Sequence, residues 1–208
     1  MKGRNIVVTG GRGALGEAVV AAFTARGAVV HVPGREVRFE DESHVTAYYA
    51  ALPSLWASVH VVGGFAMAPI AEASLAQLQD QITTNLVTCF LACREAVKTM
   101  RKTGGGRIVN VAARAAVVPS PKLTAYVASK GAVVAFTQSL AAEVLAEGIL
   151  VNAVLPGTID TPNNRKGMPD ADRATWAKPQ EIAETIAFLA SETNALTSGA
   201  LIPIYGRS

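Results

Sequence analysis

Tyr126 and Lys130 have the residue types and the spacing needed to transfer a proton together. They lie four residues apart in Tyr126-Val-Ala-Ser-Lys130, inside a stretch (residues 123–145) whose apolar pattern predicts one long amphipathic helix. Residues four apart share one face of a helix. A lysine ammonium beside a phenol favours the phenolate, so the pair predicts a lowered tyrosine pKa and proton exchange near neutral pH. An isolated pair of this spacing is also common on solvated helix faces, so the pair alone does not establish a catalytic site.

A glycine-rich turn follows the first predicted strand (residues 5–9) and precedes a helix that runs to about residue 26. Backbone N–H groups and the N-terminus of a helix at such a turn can bind a pyrophosphate. Glycines also let the backbone approach a ligand closely. The alternative is a tight turn without a ligand. The residues predicted to hold a dinucleotide here are Gly10, Arg12, Gly13, Ala14, Leu15 and Gly16.

The end of the second predicted strand bears on the choice between NAD and NADP. An acidic residue there would bind the ribose 2′-hydroxyl of NAD. This chain has Val32-Pro33-Gly34-Arg35 instead. Arg12 and Arg35 are able to bind a 2′-phosphate through paired, charge-assisted hydrogen bonds. Glu36 argues in the other direction, and two solvated arginines are the alternative. We expect NADP(H) rather than NAD(H).

Short apolar strands alternate with helices along the whole chain. After the first strand, the predicted strands are residues 28–32, 58–62, 107–111, 150–155 and 200–204. Besides the two helices already described, helices are predicted over residues 42–55, 74–102 and 179–190. The pattern predicts one α/β domain (residues 1–208), a Rossmann-type doubly wound parallel sheet with helices on both faces. Too few residues follow the second strand for a full helix and strand, so the fold is predicted to be shortened there.

The composition argues against several classes of protein. Half of the residues are hydrophobic and 17% are charged, which suits strands buried on both faces. The net charge is +3 and the basic residues are scattered, so we expect no nucleic-acid partner. No membrane span or signal peptide is apparent, and we expect a cytoplasmic protein. Cys89 and Cys93 lie four apart on one predicted helix without a nearby histidine, which favours free thiols and no metal site.

The chain resembles the short-chain dehydrogenase/reductase family over essentially its whole length. The resemblance depends on the order and spacing of five motifs: Thr9-Gly10, Gly16, Asn85, Tyr126-x-x-x-Lys130 and Pro156-Gly157. Within the family, residues 10–16 and 112–133 look most like the dihydropteridine reductases. The family commonly associates through its two long central helices, so a homodimer or homotetramer is implied.

The resemblance implies hydride transfer between a nicotinamide and the carbon of a C=O or C=N group of a small-molecule substrate. Tyr126 would deliver or remove the proton, Lys130 would hold the nicotinamide ribose, and Asn85 would position a water for proton relay. The remaining residues implied to contact the cofactor are Gly63, Gly64, Pro156, Gly157 and Thr158. The alternatives are a non-catalytic NADP(H) sensor or scaffold, and an epimerase or dehydratase on the same scaffold.

Three positions depart from the family pattern. Ala14 replaces a glycine of the turn, and Val61-Val62-Gly63-Gly64-Phe65 replaces the usual Asn-Asn-Ala-Gly. Ala113 stands thirteen residues before Tyr126, where the family has a catalytic serine. Losing such a hydrogen-bond donor typically costs roughly 10²–10³ in rate. The substrate is then either easily reduced, such as a quinonoid or iminium compound, or Ser120 substitutes, or the protein is a weak enzyme that mainly binds cofactor.

The substrate is expected to lie between the ends of the strands and a long loop. Residues 158–178 are long enough to form a lid over the nicotinamide, and a disordered surface loop is the alternative. Phe65, Ala113 and Trp176 are the residues predicted to contact the substrate. An apolar or aromatic substrate suits these side chains better than a multiply charged one.

Overall fold

One six-stranded parallel sheet forms the centre of the computed structural model, which describes residues 1–118 and 120–207. The strands are β1 (Asn5–Thr9), β2 (Val29–His31), β3 (Ala57–His60), β4 (Gly106–Val111), β5 (Ile149–Pro156) and β6 (Leu201–Ile204). Their order in the sheet is β2-β1-β3-β4-β5-β6, and every neighbouring pair is parallel. The predicted α/β fold is confirmed, and residues 32–41 between β2 and the next helix form no strand, as the shortened connection requires.

Helices cover both faces of the sheet. They are α1 (Ala14–Ala25), α2 (Glu42–Ala50), α3 (Leu75–Ile82), α4 (Thr88–Arg101), α5 (Thr124–Val144), α6 (Pro162–Gly167) and α7 (Pro179–Leu189). Successive strand residues point to opposite faces. Ile6 and Val8 of β1 therefore pack with α1 and α7, whereas Val7 packs with α2, α4 and α5. Among the described residues, no helix combines the length and apolar character needed to cross a lipid bilayer.

The helix predicted over residues 74–102 is divided by a π-helical segment, Thr83–Val87. Ser74 caps its first part, since the Ser74 hydroxyl accepts a hydrogen bond from the backbone N–H of Gln77 at 3.1 Å. The last part ends at Arg101, three residues before Gly104-Gly105-Gly106. Single π-helical turns inside helices frequently occur at functional sites. The segment contains Asn85, one of the residues predicted to act in the reaction.

The loop predicted over residues 158–178 is ordered by its own hydrogen bonds. It contains α6 and a 3₁₀ turn at Arg173–Thr175. Its two ends are joined where the backbone N–H of Asp160 donates to the carbonyl of Ala177 at 2.9 Å. The Asp160 carboxylate also accepts two hydrogen bonds from Arg165, at 2.6 and 2.8 Å. The loop therefore begins and ends at the same place, beyond the end of β5.

Candidate active site

The candidate site lies at the carboxyl edge of the sheet, where β1 and β3 are neighbours. In sheets of this kind, ligands bind at the carboxyl ends of strands where the direction of the connections reverses. The segments that follow β1 and β3 touch each other here. A Cβ atom added to Gly10 would lie 2.9 Å from the backbone nitrogen of Val62. Gly10 also has a φ of 68°, a conformation that a residue with a side chain rarely adopts.

Lys130 and Tyr126 lie at the end of the neighbouring strand β4. The Lys130 Nζ atom donates a hydrogen bond to the carbonyl oxygen of Val111 at 2.8 Å. Burial lowers the pKa of Lys130 to about 8 and raises that of Tyr126 to about 12. The Tyr126 ring packs edge-on against Phe65, with 5.0 Å between ring centroids. The sequence-based expectation of a lowered tyrosine pKa is therefore wrong for this structure, because loss of solvent outweighs any effect of the lysine.

Asn85 joins the loop after β3 to the helix that carries Tyr126. Its Nδ2 atom donates to the carbonyl of Gly64 at 3.1 Å and to the hydroxyl of Ser129 at 3.0 Å. Its Oδ1 atom accepts from the backbone N–H of Gly64 at 2.9 Å. Ser129 in turn donates to the carbonyl of Tyr126 at 2.8 Å. Sequence reasoning missed Ser129, which directly precedes Lys130 and is fully buried in the structure.

Gly63 is the point where the predicted residues meet. A Cβ atom there would lie 2.9 Å from Asn85 Oδ1 and 3.1 Å from Lys130 Nζ. Both of these polar side chains are almost completely buried. The glycine thus leaves space that an alanine, the usual family residue at this position, would fill. The structure brings Asn85, Lys130, Gly63 and Gly64 together, with Tyr126 one helical turn away.

The glycine turn is tight and leaves the start of α1 open. The backbone N–H of Gly13 donates to the carbonyl of Gly10 at 3.0 Å, and a Cβ on Gly16 would collide with that same carbonyl. A Cβ on Gly13 would meet only that oxygen, at 3.5 Å, so the start of α1 is open. Ala14 is exposed and tolerates its methyl group. The Leu15 side chain is buried in the core, so only its backbone is available to a ligand.

A cleft of about 310 Å³ extends from this turn toward the segment after β2. Its lining includes Arg12 and Arg35, whose binding of a 2′-phosphate stays a prediction, and also Arg38 and Phe39, which sequence reasoning missed. The Glu36 carboxylate folds away and accepts a hydrogen bond from the backbone N–H of Gly34 at 3.1 Å. The full lining is Gly10, Gly11, Arg12, Gly13, Pro33, Gly34, Arg35, Val37, Arg38, Phe39, Glu40 and Val62.

The ends of β5 and β6 complete this edge of the sheet. The backbone N–H of Gly157 donates to the carbonyl of Ile204 at 3.0 Å, and the carbonyl of Thr158 accepts from Ala177 at 3.0 Å. Pro156 is the last residue of β5 and is buried. These contacts attach the base of the 158–178 loop to the sheet.

The three residues predicted to contact substrate have different surroundings. Phe65 adjoins Tyr126 and is 64% exposed, so an apolar face is available beside the phenol. Ala113 is buried at the end of β4 and offers no hydroxyl. Trp176 is also buried and, among the described residues, makes no ring contact with Tyr126 or Phe65. Phe65 is therefore the one of the three whose side chain both adjoins Tyr126 and is exposed.

A buried polar cluster lies between β3, β4 and α4. The expectation that the two cysteines have no histidine nearby is wrong, because His60 Nδ1 lies 3.2 Å from Cys93 Sγ. The possible ligand atoms of His60, Cys89 and Cys93 all lie within 4.8 Å of one another. Both ring nitrogens of His60 already have partners at 2.8 Å, Asn110 Oδ1 and Ser58 Oγ. The cluster is satisfied by hydrogen bonds, and the absence of a metal stays a prediction.

The model of the short chain dehydrogenase family matches residues 36–172, well over half of the chain. This range contains Asn85, Tyr126 and Lys130, while the glycine turn lies outside it. An uncharacterised short-chain type dehydrogenase/reductase from Sinorhizobium fredii is 33% identical; the alignment covers 98% of this chain but only 43% of that longer protein.

Two further proteins match along nearly their whole length. A cis-4-hydroxycyclohexanecarboxylate dehydrogenase from Sinomonas cyclohexanicum is 32% identical, with 98% of this chain and 95% of that protein covered. A crystal structure from Beutenbergia cavernae, named provisionally as an NAD(P)-dependent gluconate 5-dehydrogenase and containing NADP at low occupancy, is 28% identical. It superposes with a TM-score of 0.92 over 99% of this chain and 96% of that chain. This chain belongs to the short-chain dehydrogenase/reductase family.

Proposed function

We propose that this protein is a cytoplasmic NADP(H)-dependent reductase that transfers hydride to a C=O, C=N or quinonoid carbon of a small molecule. The observation that carries the proposal is the meeting of Lys130 and Asn85 over Gly63, with Tyr126 one turn away on α5. Membership of the family supports an oxidoreductase, and the relatives described above are named as dehydrogenases or reductases. The free thiols of Cys89 and Cys93 suit a reducing compartment.

The site has features that fit a nicotinamide dinucleotide. The open start of α1 and the glycine turn offer backbone N–H groups to a pyrophosphate. The adjoining cleft has room for the adenosine end, and its arginines, Arg12 and Arg35, favour a 2′-phosphate. Glu36, which would favour NAD, is engaged with the backbone of Gly34. When bound, the nicotinamide supplies the hydride, while Pro156, Gly157 and Thr158 are proposed to border it from the end of β5.

The protein's own residues would manage the proton. Tyr126 is the proton donor, because its phenol is the titratable group next to the exposed face of Phe65. The pKa of Lys130, about 8, leaves the lysine mostly protonated at neutral pH, so it can donate hydrogen bonds to the ribose and stabilise the developing phenolate. Asn85 holds the backbone at Gly64 and, as a further proposal, positions a relay water.

The absence of a hydroxyl at Ala113 favours a substrate whose reacting oxygen or nitrogen needs little stabilisation by hydrogen bonds during reduction. Quinonoid dihydropterins, quinones and iminium compounds meet that condition, and the likeness of residues 10–16 and 112–133 to dihydropteridine reductases supports the first of them. The exposed ring of Phe65 suits an apolar body. A variant Ala113→Ser with turnover raised by orders of magnitude on the best substrate would overturn this explanation.

Two further proposals concern movement and assembly. Residues 158–178 are proposed to be a lid, because the hydrogen-bonded bridge between Ile159 and Ala177 leaves the intervening residues as one closed unit.

The chain is proposed to form a homodimer or homotetramer through the outer faces of α4 and α5. Phe90 on α4 is 44% exposed and its ring centroid lies 5.6 Å from that of Phe136 on α5, which makes an apolar patch suited to pairing.

The test is NADPH oxidation against a panel of carbonyl, quinone, iminium and quinonoid pterin compounds, with wild type beside Tyr126→Phe. We expect at least one compound to be reduced by wild type and much more slowly by the variant, with NADPH binding retained in both. Equal rates in the two proteins would remove the proposal. Saturable cofactor binding without any turnover would favour a sensor, and tightly bound cofactor without net oxidation would favour an epimerase or dehydratase.

A further inference from the structure

Arg114 is a half-buried arginine that has no acidic partner among the described residues. Its Nε atom is buried and has no hydrogen-bond partner within residues 1–118 and 120–207. A guanidinium carries five N–H donors, and leaving a buried donor unpaired is unfavourable. Since no described residue supplies an acidic partner, the guanidinium keeps a positive charge that an anionic ligand would neutralise.

Tyr205 provides an aromatic platform for this arginine. The guanidinium carbon of Arg114 lies 5.2 Å from the centroid of the Tyr205 ring, within the range of a cation–π contact. Tyr205 directly follows β6, and its carbonyl oxygen would lie 2.8 Å from a Cβ atom on Gly157, just after β5. The contact fixes where the charge lies without neutralising it, because the ring carries no net charge.

The position of Arg114 relative to the reaction centre follows from the order of the strands. Arg114 begins the 3₁₀ turn after β4, three residues beyond Val111, whose carbonyl holds Lys130. The glycine turn and its cleft belong to β1 and β2, on the other side of β4. Arg114 reaches instead across the end of β5 toward Tyr205 after β6. By strand order, the guanidinium therefore lies on the side of β4 away from the adenosine cleft.

We infer that Arg114, held by Tyr205, forms a subsite for a carboxylate of the substrate. A guanidinium binds a planar carboxylate through two parallel hydrogen bonds, and one arginine without an acidic partner in the described part of the chain matches one negative charge. The inference rests on the proposed function and deepens it. The substrate would carry an apolar body against Phe65 and one acidic group against Arg114, rather than being uncharged throughout.

Binding of benzoate and of benzamide to the protein, with and without NADP⁺, tests the subsite without requiring turnover. Isothermal titration calorimetry should show that wild type binds benzoate more tightly than benzamide. In Arg114→Gln, the dissociation constant for benzoate should rise on the order of ten- to a hundredfold, while that for benzamide stays the same. Arg114→Lys keeps the positive charge but cannot form two parallel hydrogen bonds, so an intermediate rise in the dissociation constant for benzoate is expected. Arg26→Gln, far from the site, should behave as wild type.

Two results would overturn the subsite. One is a wild type that does not prefer benzoate, which is also the outcome expected if a second copy of the chain covers Arg114. The other is an Arg114→Gln variant, folded by circular dichroism, that keeps the full preference. Failure of the proposed function is a separate result: a protein that reduces nothing in the panel yet binds benzoate through Arg114 would retain the subsite and lose the reductase.

Discussion

The Nζ atom of Lys130 and the carbonyl oxygen of Val111 lie 2.8 Å apart, and this hydrogen bond ties α5 to the end of β4. Lys130 is only 6% exposed, and its ammonium has this one hydrogen bond to a described residue. The charge is therefore held at the site at a cost in stability, because burial disfavours the charged form. This cost should appear in the way the free energy of unfolding depends on pH.

The stability of wild type relative to Lys130→Met should rise with pH between about 8 and 10.5. Burial lowers the pKa of Lys130 from 10.5 to about 8. Between these values the unfolded chain still holds the proton and the folded chain has released it, so raising the pH favours folding, and below pH 8 the full cost applies. The rise should total about 3 kcal/mol, at about 1.36 kcal/mol per pKa unit. Urea unfolding of both proteins at a series of pH values measures it, and a flat difference would contradict the burial of a charged lysine.

Gly63→Ala should disturb the site, whereas Gly131→Ala should not. A Cβ on Gly63 would press on Asn85 Oδ1 and Lys130 Nζ, and overpacking of this kind typically costs about 1–3 kcal/mol. Apart from its chain neighbours and the backbone of α5, no described atom lies within 4 Å of a Cβ on Gly131, so the matched variant should gain about 0.5–1 kcal/mol. Thermal unfolding and NADPH oxidation rates compare the two. A fully active and stable Gly63→Ala would show that this contact does not constrain the site.

Asn85→Ala should lower both stability and activity, while Gln180→Ala, on the exposed surface of α7, should lower neither. Removing the Asn85 amide leaves the backbone of Gly64 without two of its hydrogen bonds, at a cost of about 1–3 kcal/mol. The effect on rate should appear in kcat more than in the KM for NADPH, because the amide acts on the loop beside Tyr126. A loss confined to KM would instead indicate a role in cofactor binding.

Arg12→Gln and Arg35→Gln should weaken NADPH binding and leave NADH binding nearly unchanged. Each arginine lines the cleft, and a charge-assisted hydrogen bond to a 2′-phosphate typically contributes about 1.5–3 kcal/mol, or roughly tenfold or more in the dissociation constant. Fluorescence titration with both dinucleotides measures the difference. Glu36→Gln is the control, since its carboxylate is bound to the Gly34 backbone. Equal weakening of both cofactors would argue against a 2′-phosphate site.

The strands and long helices were predictable because their signal is local. Apolar runs bounded by glycine and proline placed six strands and five helices within a few residues, and the spacing of Tyr126 and Lys130 put both on α5 as expected. Two of these helices differ from the prediction: residues 74–102 are divided by the π-helical segment, and the helix predicted over residues 42–55 ends at Ala50. Pro53 restricts the residue before it and provides no N–H, so the helix stops early.

The features that were missed depend on contacts between residues far apart in the chain. Ser129 joins the site only because Asn85, 44 positions earlier, donates to it. His60 of β3 contacts Cys93 of α4, 33 positions further along the chain. The pKa of Tyr126 is raised, whereas the sequence predicted that it is lowered. The reason is burial, which the residue spacing alone does not reveal and which exceeds the effect of a neighbouring charge.

The most direct test of the account follows deuterium from NADPH labelled at nicotinamide C4 into the product, with mass spectrometry, using the best substrate of the panel. Wild type should transfer the label to the reduced carbon, and Tyr126→Phe, with its cofactor binding intact, should transfer it at least a hundredfold more slowly, on the scale of about 10²–10⁴ for general acid catalysis. Saturable NADPH binding without label in any product, or transfer by Tyr126→Phe at the wild-type rate, would contradict it.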